Sequence, residues 1–205
     1  MSKFIVIEGL DGSGKTSQIE ILKRALEARG EKVYVTHEPT MYETGAYLNR
    51  ILSGSIKKDM HLQAALFLAD RIEHITHPEH GIKRYLDDGY TVICDRYYYS
   101  SLAYQGMSHD CEYEWVRSMN LNCPKLIKPD ICMFLDVNPE TCKGRIDSER
   151  DNVELYEQSV RQMSGIRKGF LKVLIDLKNN YDHNIVIIDA NRDIDSIAKE
   201  ILSYV

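Results

Sequence analysis

The sequence predicts an α/β fold with three layers, α/β/α, around a five-stranded parallel sheet. Three observations point there. Short, β-branched apolar runs alternate with longer stretches whose apolar residues recur at helical spacing. The short runs are apolar on both faces, as strands buried between helices are. The unusual polar residues cluster just after those runs, where ligands sit in such sheets.

Taken in order, the first strand is expected at 3–8, from Phe4, Ile5, Val6 and Ile7. A helix follows over 15–29, with Ile19, Leu22 and Leu26 on one face and Gly30 as its stop. Val33 and Val35 mark a strand at 32–36. Tyr47, Leu48, Ile51 and Leu52 mark a helix at 43–53, ended by Gly54. The stretch 60–77 reads as a helix whose broad apolar face is Leu62, Leu66, Leu68, Ala69 and Ile72. Pro78 is expected to open another helix, which Gly89 ends. Then come a strand at 91–95, helices at 100–105 and 113–122, and a strand at 131–136. A helix at 139–146 precedes the charged run 147–151. A long amphipathic helix is expected over 153–180, a strand at 185–189 and a last helix at 194–204. No repeat or linker interrupts the pattern, so one domain spanning 1–205 is expected.

Composition excludes several classes. Hydrophobic residues make up 43% and charged residues 28% of 205, ordinary for a globular domain. The net charge of −5 argues against a general nucleic-acid or anionic-membrane surface. No apolar run reaches membrane-span length, and with a strand expected almost from the first residue no signal peptide is expected. The five cysteines are odd in number and show no CxxC spacing, so a reducing, cytoplasmic setting is expected. His74, His77 and His80 suggest a metal site, but no acid or cysteine completes the set, and a solvated helix end is the expectation.

The chemistry begins in residues 4–16. Gly9-Leu10-Asp11-Gly12-Ser13-Gly14-Lys15-Thr16 completes the Walker A pattern between a strand and a helix, a P-loop. Its glycines let backbone N–H groups approach phosphate oxygens, and the helix N-terminus adds positive potential. Lys15 reaches the β/γ-phosphates of such a ligand, and the Thr16 hydroxyl joins a Mg²⁺ shell. Val92-Ile93-Cys94 delivers Asp95 to the same end, where an acid holds Mg²⁺ directly or through water. Arg96 beside it suits an anionic second substrate, because arginine grips phosphate oxygens in a fork. A surface ion pair is the plainer reading of Asp95-Arg96. No guanine-reading NKxD segment is present. Phe67 and Arg71 lie four apart on one helix face, an aromatic plane beside a hydrogen-bonding fork. A phenylalanine there is otherwise a core residue.

These segments resemble thymidylate kinases among the nucleoside-monophosphate kinases. The resemblance is carried by the P-loop with Glu8, Glu38-Pro39, Phe67-Leu68-Ala69-Asp70-Arg71, Asp95-Arg96-Tyr97 with Ser100-Ser101-Leu102-Ala103-Tyr104-Gln105, and Leu135-Asp136-Val137-x-Pro139-Glu140. It implies an ATP-dependent dTMP kinase that uses Mg²⁺ and forms a homodimer. It implies that Phe67 stacks on thymine, Arg71 bonds its carbonyl edge and Ser101 lies beside the base, with Glu38, Pro39, Ser100 and Gln105 in the same pocket. Tyr104 fills the space a ribose 2′-OH needs. Arg96, with Arg50, binds the acceptor phosphate, and Asp11 approaches the sugar 3′-OH. Lys15 and Thr16 serve ATP and Mg²⁺, and Asp95 helps place the metal. Arg145, Asn191 and Arg192 border the ATP.

Some relatives carry a catalytic arginine inside the P-loop, where this chain has Gly12. The resemblance then implies a lid arginine, and Arg150, in a lid of about 143–156, is the candidate. The run around it is also readable as a solvated charged face. His37 stands where relatives often have arginine, and the lid is acidic, with Asp147, Glu149, Asp151 and Glu154. A deoxynucleoside kinase, a kinase for another pyrimidine monophosphate, and a nucleotide-binding module without catalysis are the alternatives. The last is expected to lose Lys15, Asp95 or Arg96, and all three are present.

Overall fold

The computed structural model describes residues 2–149, 155–157 and 159–205. Its sheet contains β1 (Phe4–Gly9), β2 (Val33–His37), β3 (Thr91–Asp95), β4 (Ile131–Asp136) and β5 (Ile185–Asp189). The strand order is β2-β3-β1-β4-β5, and every pairing is parallel. β1 lies at the centre, with Ile5 opposite both Ile93 and Ile131, and all six of its residues are buried. That is why its sequence is a continuous apolar run rather than an alternating one. Each fully buried Ile, Val or Phe in these strands stabilises the fold by about 1.5–3 kcal/mol.

Nine helices are described: α1 (Lys15–Ala28), α2 (Glu43–Leu52), α3 (Met60–Thr76), α4 (Ile82–Asp87), α5 (Tyr98–Tyr104), α6 (Tyr113–Leu121), α7 (Pro139–Glu149), α8 (Val160–Asn180) and α9 (Ile194–Leu202). α1 packs against α9 and α5 against α8. Phe170 of α8 lies 5.0 Å from the Phe134 ring of β4, joining helix layer to sheet. The C-terminal ends of β1, β2 and β3 deliver Gly9, His37 and Asp95 to one edge.

Four expectations are corrected. Pro78 opens a turn rather than a helix: the His77 ring accepts the N–H groups of Glu79 and His80, and α4 begins only at Ile82. α7 runs on to Glu149, past the expected end at 146. α8 starts at Val160, because Ser159 caps it through the Gln162 N–H at 3.1 Å and Leu155 bonds instead to Leu52. The apolar face foreseen on α3 is not its buried face. Gln63, Asp70, Arg71 and His74 are buried with Ala64 and Ile75, whereas Leu62 is 42% exposed and Leu66, Leu68 and Ile72 are half-buried. The cause is a set of internal ionic and hydrogen-bonding partners for those polar groups. His74 in particular is no solvated helix end: its ring bonds Thr36 and Glu38.

Candidate active site

The donor side grows from the turn after β1. Gly14 takes φ +91° as the cap of α1, a left-handed backbone that glycine adopts without cost. Gly12 has φ +75°, and a Cβ there meets the Cys142 carbonyl oxygen at 2.5 Å. An arginine at this position cannot be accommodated without moving α7. Lys15 is buried, with Nζ 3.5 Å from the Gly9 carbonyl, 3.3 Å from the Leu10 carbonyl, and 3.8 Å from both Asp11 and Asp95. Arg145 donates to the Gly12 carbonyl at 2.9 Å, tying α7 to the loop.

Gly12, Ser13, Gly14, Lys15 and Thr16 line a cavity of about 440 Å³ with Asp95, Arg145 and Arg192. Asn191 does not line it; its side chain takes the Asn138 N–H and bonds Asp189, closing the ends of β4 and β5. Asp95 Oδ1 is buried and accepts no hydrogen bond. That oxygen, 3.8 Å from the Lys15 ammonium, and the exposed Thr16 hydroxyl line the same cavity, and both are hard oxygen ligands of the kind that fits Mg²⁺.

The acceptor side is a cavity of about 180 Å³ lined by Phe67, Arg71, Ser100, Ser101, Tyr104 and Gln105, with Pro39 at its edge. Asp11, Glu38 and Arg96 line both cavities. Arg96 has φ +69°; its guanidinium bonds Asp11 at 2.8 Å and Ser100 at 3.1 Å and lies 5.5 Å from the Tyr104 ring centre. Its ion pair is therefore with Asp11, not with its neighbour Asp95 and not at the surface. Arg50 is exposed on α2 and lines neither cavity; Asn49, one residue earlier, lines the acceptor side. Arg150, the expected lid cation, lies outside the described residues.

The hydrogen bonds that hold this site, and the parts that Asn120 and His74 play in them, are not legible in the sequence. Arg71 is buried and bonds Glu38 at 2.8 Å, Asn120 at 2.7 Å and Ser101 at 3.1 Å. Asn120 also donates to the Val116 carbonyl, and His74 bonds the second Glu38 oxygen. Asp70 accepts from Thr40 and Thr44, fixing the turn after Pro39. Glu8 is fully buried at the end of β1 and accepts from the Tyr97 N–H and from the N–H and hydroxyl of Ser100. Burial pushes its carboxyl up to about 7, against the pull of Arg96 and these donors. Polar residues on helices that read as amphipathic were the available signal: Asp70, His74 and Asn120 sit at buried positions without an obvious reason.

The two cavities thus lie side by side and meet at Asp11, Glu38 and Arg96. The sequence model described as thymidylate kinase matches residues 7–201. A thymidylate kinase of Exiguobacterium is 31% identical over 98% of this chain and 92% of its own length. One of Symbiobacterium thermophilum is 31% identical over 98% and 91%. One of Caldicellulosiruptor saccharolyticus is 36% identical over 83% and 82%. With the match spanning nearly the whole chain, and the P-loop, the buried arginine and the aromatic wall in place, the chain belongs to the thymidylate kinase family.

Proposed function

We propose that this protein transfers the γ-phosphoryl group of ATP to the phosphate of dTMP, giving ADP and dTDP. The observation that carries the reading is the sharing of Asp11, Glu38 and Arg96 between the donor and acceptor cavities. A phosphate held by Arg96 on the acceptor side faces the P-loop directly. The bond between the γ-phosphorus and its bridging oxygen breaks as an oxygen of dTMP attacks in line. That oxygen is already anionic at neutral pH, so no strong base is required, and catalysis is positioning and charge neutralisation. Lys15 supplies charge to the β/γ oxygens, and Arg145 holds the loop through Gly12. Thr16 and Asp95 would hold Mg²⁺, which supplies further neutralisation of the phosphate oxygens. Phe67 offers a plane for the base and Arg71 a donor at its edge, while Tyr104 crowds the sugar.

The whole chain acts as one kinase domain in this reading. No helix among the described residues is long and apolar enough to cross a membrane. All five cysteines are free, which suits a reducing cytoplasm. A homodimer is supported by the face of α3 that the fold leaves unburied, Leu62 among its residues.

The test is ADP release with Mg²⁺-ATP across dTMP, dUMP, UMP, dCMP and thymidine. dTMP is expected to turn over best. Best turnover with thymidine, or none with any monophosphate, would overturn the assignment. The same assay decides the lid cation, carried on the resemblance alone: Arg150→Ala should lower kcat far more than it raises KM for dTMP.

A further inference from the structure

The start of α3 and the loop before α6 bring together three unlike metal-ligand side chains. We propose that His61, Cys111 and Glu112 form a binding site for a transition-metal dication of the zinc class, separate from the Mg²⁺-nucleotide site. One His61 ring nitrogen, the Cys111 sulfur and a Glu112 carboxylate oxygen lie within 4.8 Å of one another. His61 Nε2 is 2.7 Å from Glu112 Oε2. Among the described residues no other three His, Cys, Asp or Glu side chains meet in this way.

The donor set selects the metal. One imidazole nitrogen, one sulfur and one carboxylate oxygen suit Zn²⁺ and its first-row neighbours, whereas Mg²⁺ takes oxygens. Bonds of about 2.0–2.3 Å in a tetrahedron leave ligand atoms roughly 3.3–3.8 Å apart. The existing cluster therefore needs side-chain adjustments of about an ångström, closing on the sulfur and opening the His61–Glu112 pair. His61 and Glu112 are free enough to make them: their side chains are 45% and 73% exposed.

The surroundings also want a cation. Cys111 is buried, and its thiol is held up by burial and by the carboxylates of Glu112 and Asp59. A dication reverses that repulsion. The metal–sulfur bond forms as the thiol proton leaves to solvent, and the imidazole binds as the neutral ring. Asp59 keeps one oxygen on the Leu62 N–H as the cap of α3. The Trp115 ring lies 5.2 Å from the His61 ring. Once loaded, the site would staple the first turn of α3 to the N-terminal cap of α6, the two helices that Arg71 and Asn120 already join further along.

Trp115 is the chain's one tryptophan, so the site carries its own reporter. The nucleotide-free protein is titrated with Co²⁺, followed by tryptophan fluorescence and near-ultraviolet absorption. Saturable one-site quenching and a thiolate-to-cobalt charge-transfer band are expected, both displaced by Zn²⁺. Cys111→Ser should abolish the band, and His61→Ala, an exposed change that leaves the core intact, should weaken Co²⁺ binding at least about 10-fold. Zn²⁺ at 100 times its Kd should raise the unfolding midpoint by about 5–10 °C in the wild type and not in Cys111→Ser. Mg²⁺-ATP turnover of Cys111→Ser should match wild type and reports that it is folded. Absence of the band, its persistence in Cys111→Ser, or unchanged quenching in His61→Ala would overturn the proposal.

Discussion

The donor and acceptor cavities meet at Asp11, Glu38 and Arg96 but are built by opposite means. The donor cavity, about 440 Å³, is a backbone structure. Its floor is the turn 11–16, closed by Asp95, Arg145 and Arg192 from other segments, and its shape depends on glycines that lack a Cβ, such as Gly12 against the Cys142 carbonyl. The acceptor cavity, about 180 Å³, is a side-chain structure. Its polar wall is Arg71, locked by Glu38, Asn120 and Ser101 from three other parts of the chain. Backbone N–H groups suit a ligand part common to all nucleotides, because any sequence supplies them. A buried fork held in one plane suits a ligand part that must be distinguished, because misalignment leaves buried polar groups unpaired.

The largest effect should fall on the donor side alone. Lys15 is the cation within reach of the loop carbonyls and of both Asp11 and Asp95. Lys15→Ala should lower kcat by about 10³-fold. Binding of dTMP, measured by calorimetry without ATP, should stay within about 2-fold, as for an independent site. A parallel loss of dTMP binding would mean that the two cavities are one electrostatic unit rather than two separately built sites.

The same contrast decides what could be read in the sequence. The loop at the heart of the donor side is contiguous, so residues 9–16 announce it at once, and the alternation of apolar runs places the parallel sheet to within a residue or two at most strand ends. The acceptor side is assembled from distant segments. Phe67, Arg71 and the run 95–105 were legible through a motif, but Asn120 and His74 belong to no motif. Their helices have ordinary amphipathic spacing, and the partners that make burial tolerable lie 49 and 36 residues away. The reversal on α3 has the same origin. Periodicity finds an apolar stripe but does not reveal that Glu38, Thr36 and Asn120 satisfy the opposite one.

Glu8 is where the separation could break, because it ends the strand that enters the P-loop and also holds the first turn of α5. Its folded value of about 7 lies above the ordinary 4.5. Below pH 4.5 both folded and unfolded chains are protonated there, and its contribution is fully present. As pH rises from 4.5 to 7 the unfolded chain ionises first and stability is lost; above 7 the loss is complete. The full swing is about 3 kcal/mol. Glutamine keeps an oxygen for the Tyr97 and Ser100 N–H groups and an amide for the Ser100 hydroxyl. Glu8→Gln should therefore flatten the decline in urea-unfolding free energy between pH 4.5 and pH 8 by about that amount. Parallel pH profiles for the two proteins would show that Glu8 is ionised throughout, stabilised by its donors and Arg96 rather than neutralised by burial.

The smallest effect is the sharpest test of the acceptor side. Asn120 touches neither cavity, yet its Oδ1 accepts from Arg71 Nη1 at 2.7 Å while its amide is held by the Val116 carbonyl at 2.8 Å. It is a positioning residue: it fixes the guanidinium from behind, leaving Glu38 and Ser101 to fix the other edge. Asn120→Leu keeps the volume and removes the acceptor. One buried donor of Arg71 is left unpaired, at a cost of about 1–3 kcal/mol. The fork relieves that cost by turning toward solvent or ligand, and the base then meets it off its plane. KM for dTMP should rise about 10-fold with kcat little changed, while KM for ATP should not move. The margin for dTMP over dCMP should narrow as well, because a loosened fork no longer demands a carbonyl at that edge. A loss of thermal stability with the dTMP:dCMP ratio intact would reduce Asn120 to packing. It would then leave base recognition to Phe67 and the fork's remaining partners, and the acceptor pocket would be less dependent on distant side chains than its hydrogen bonds imply.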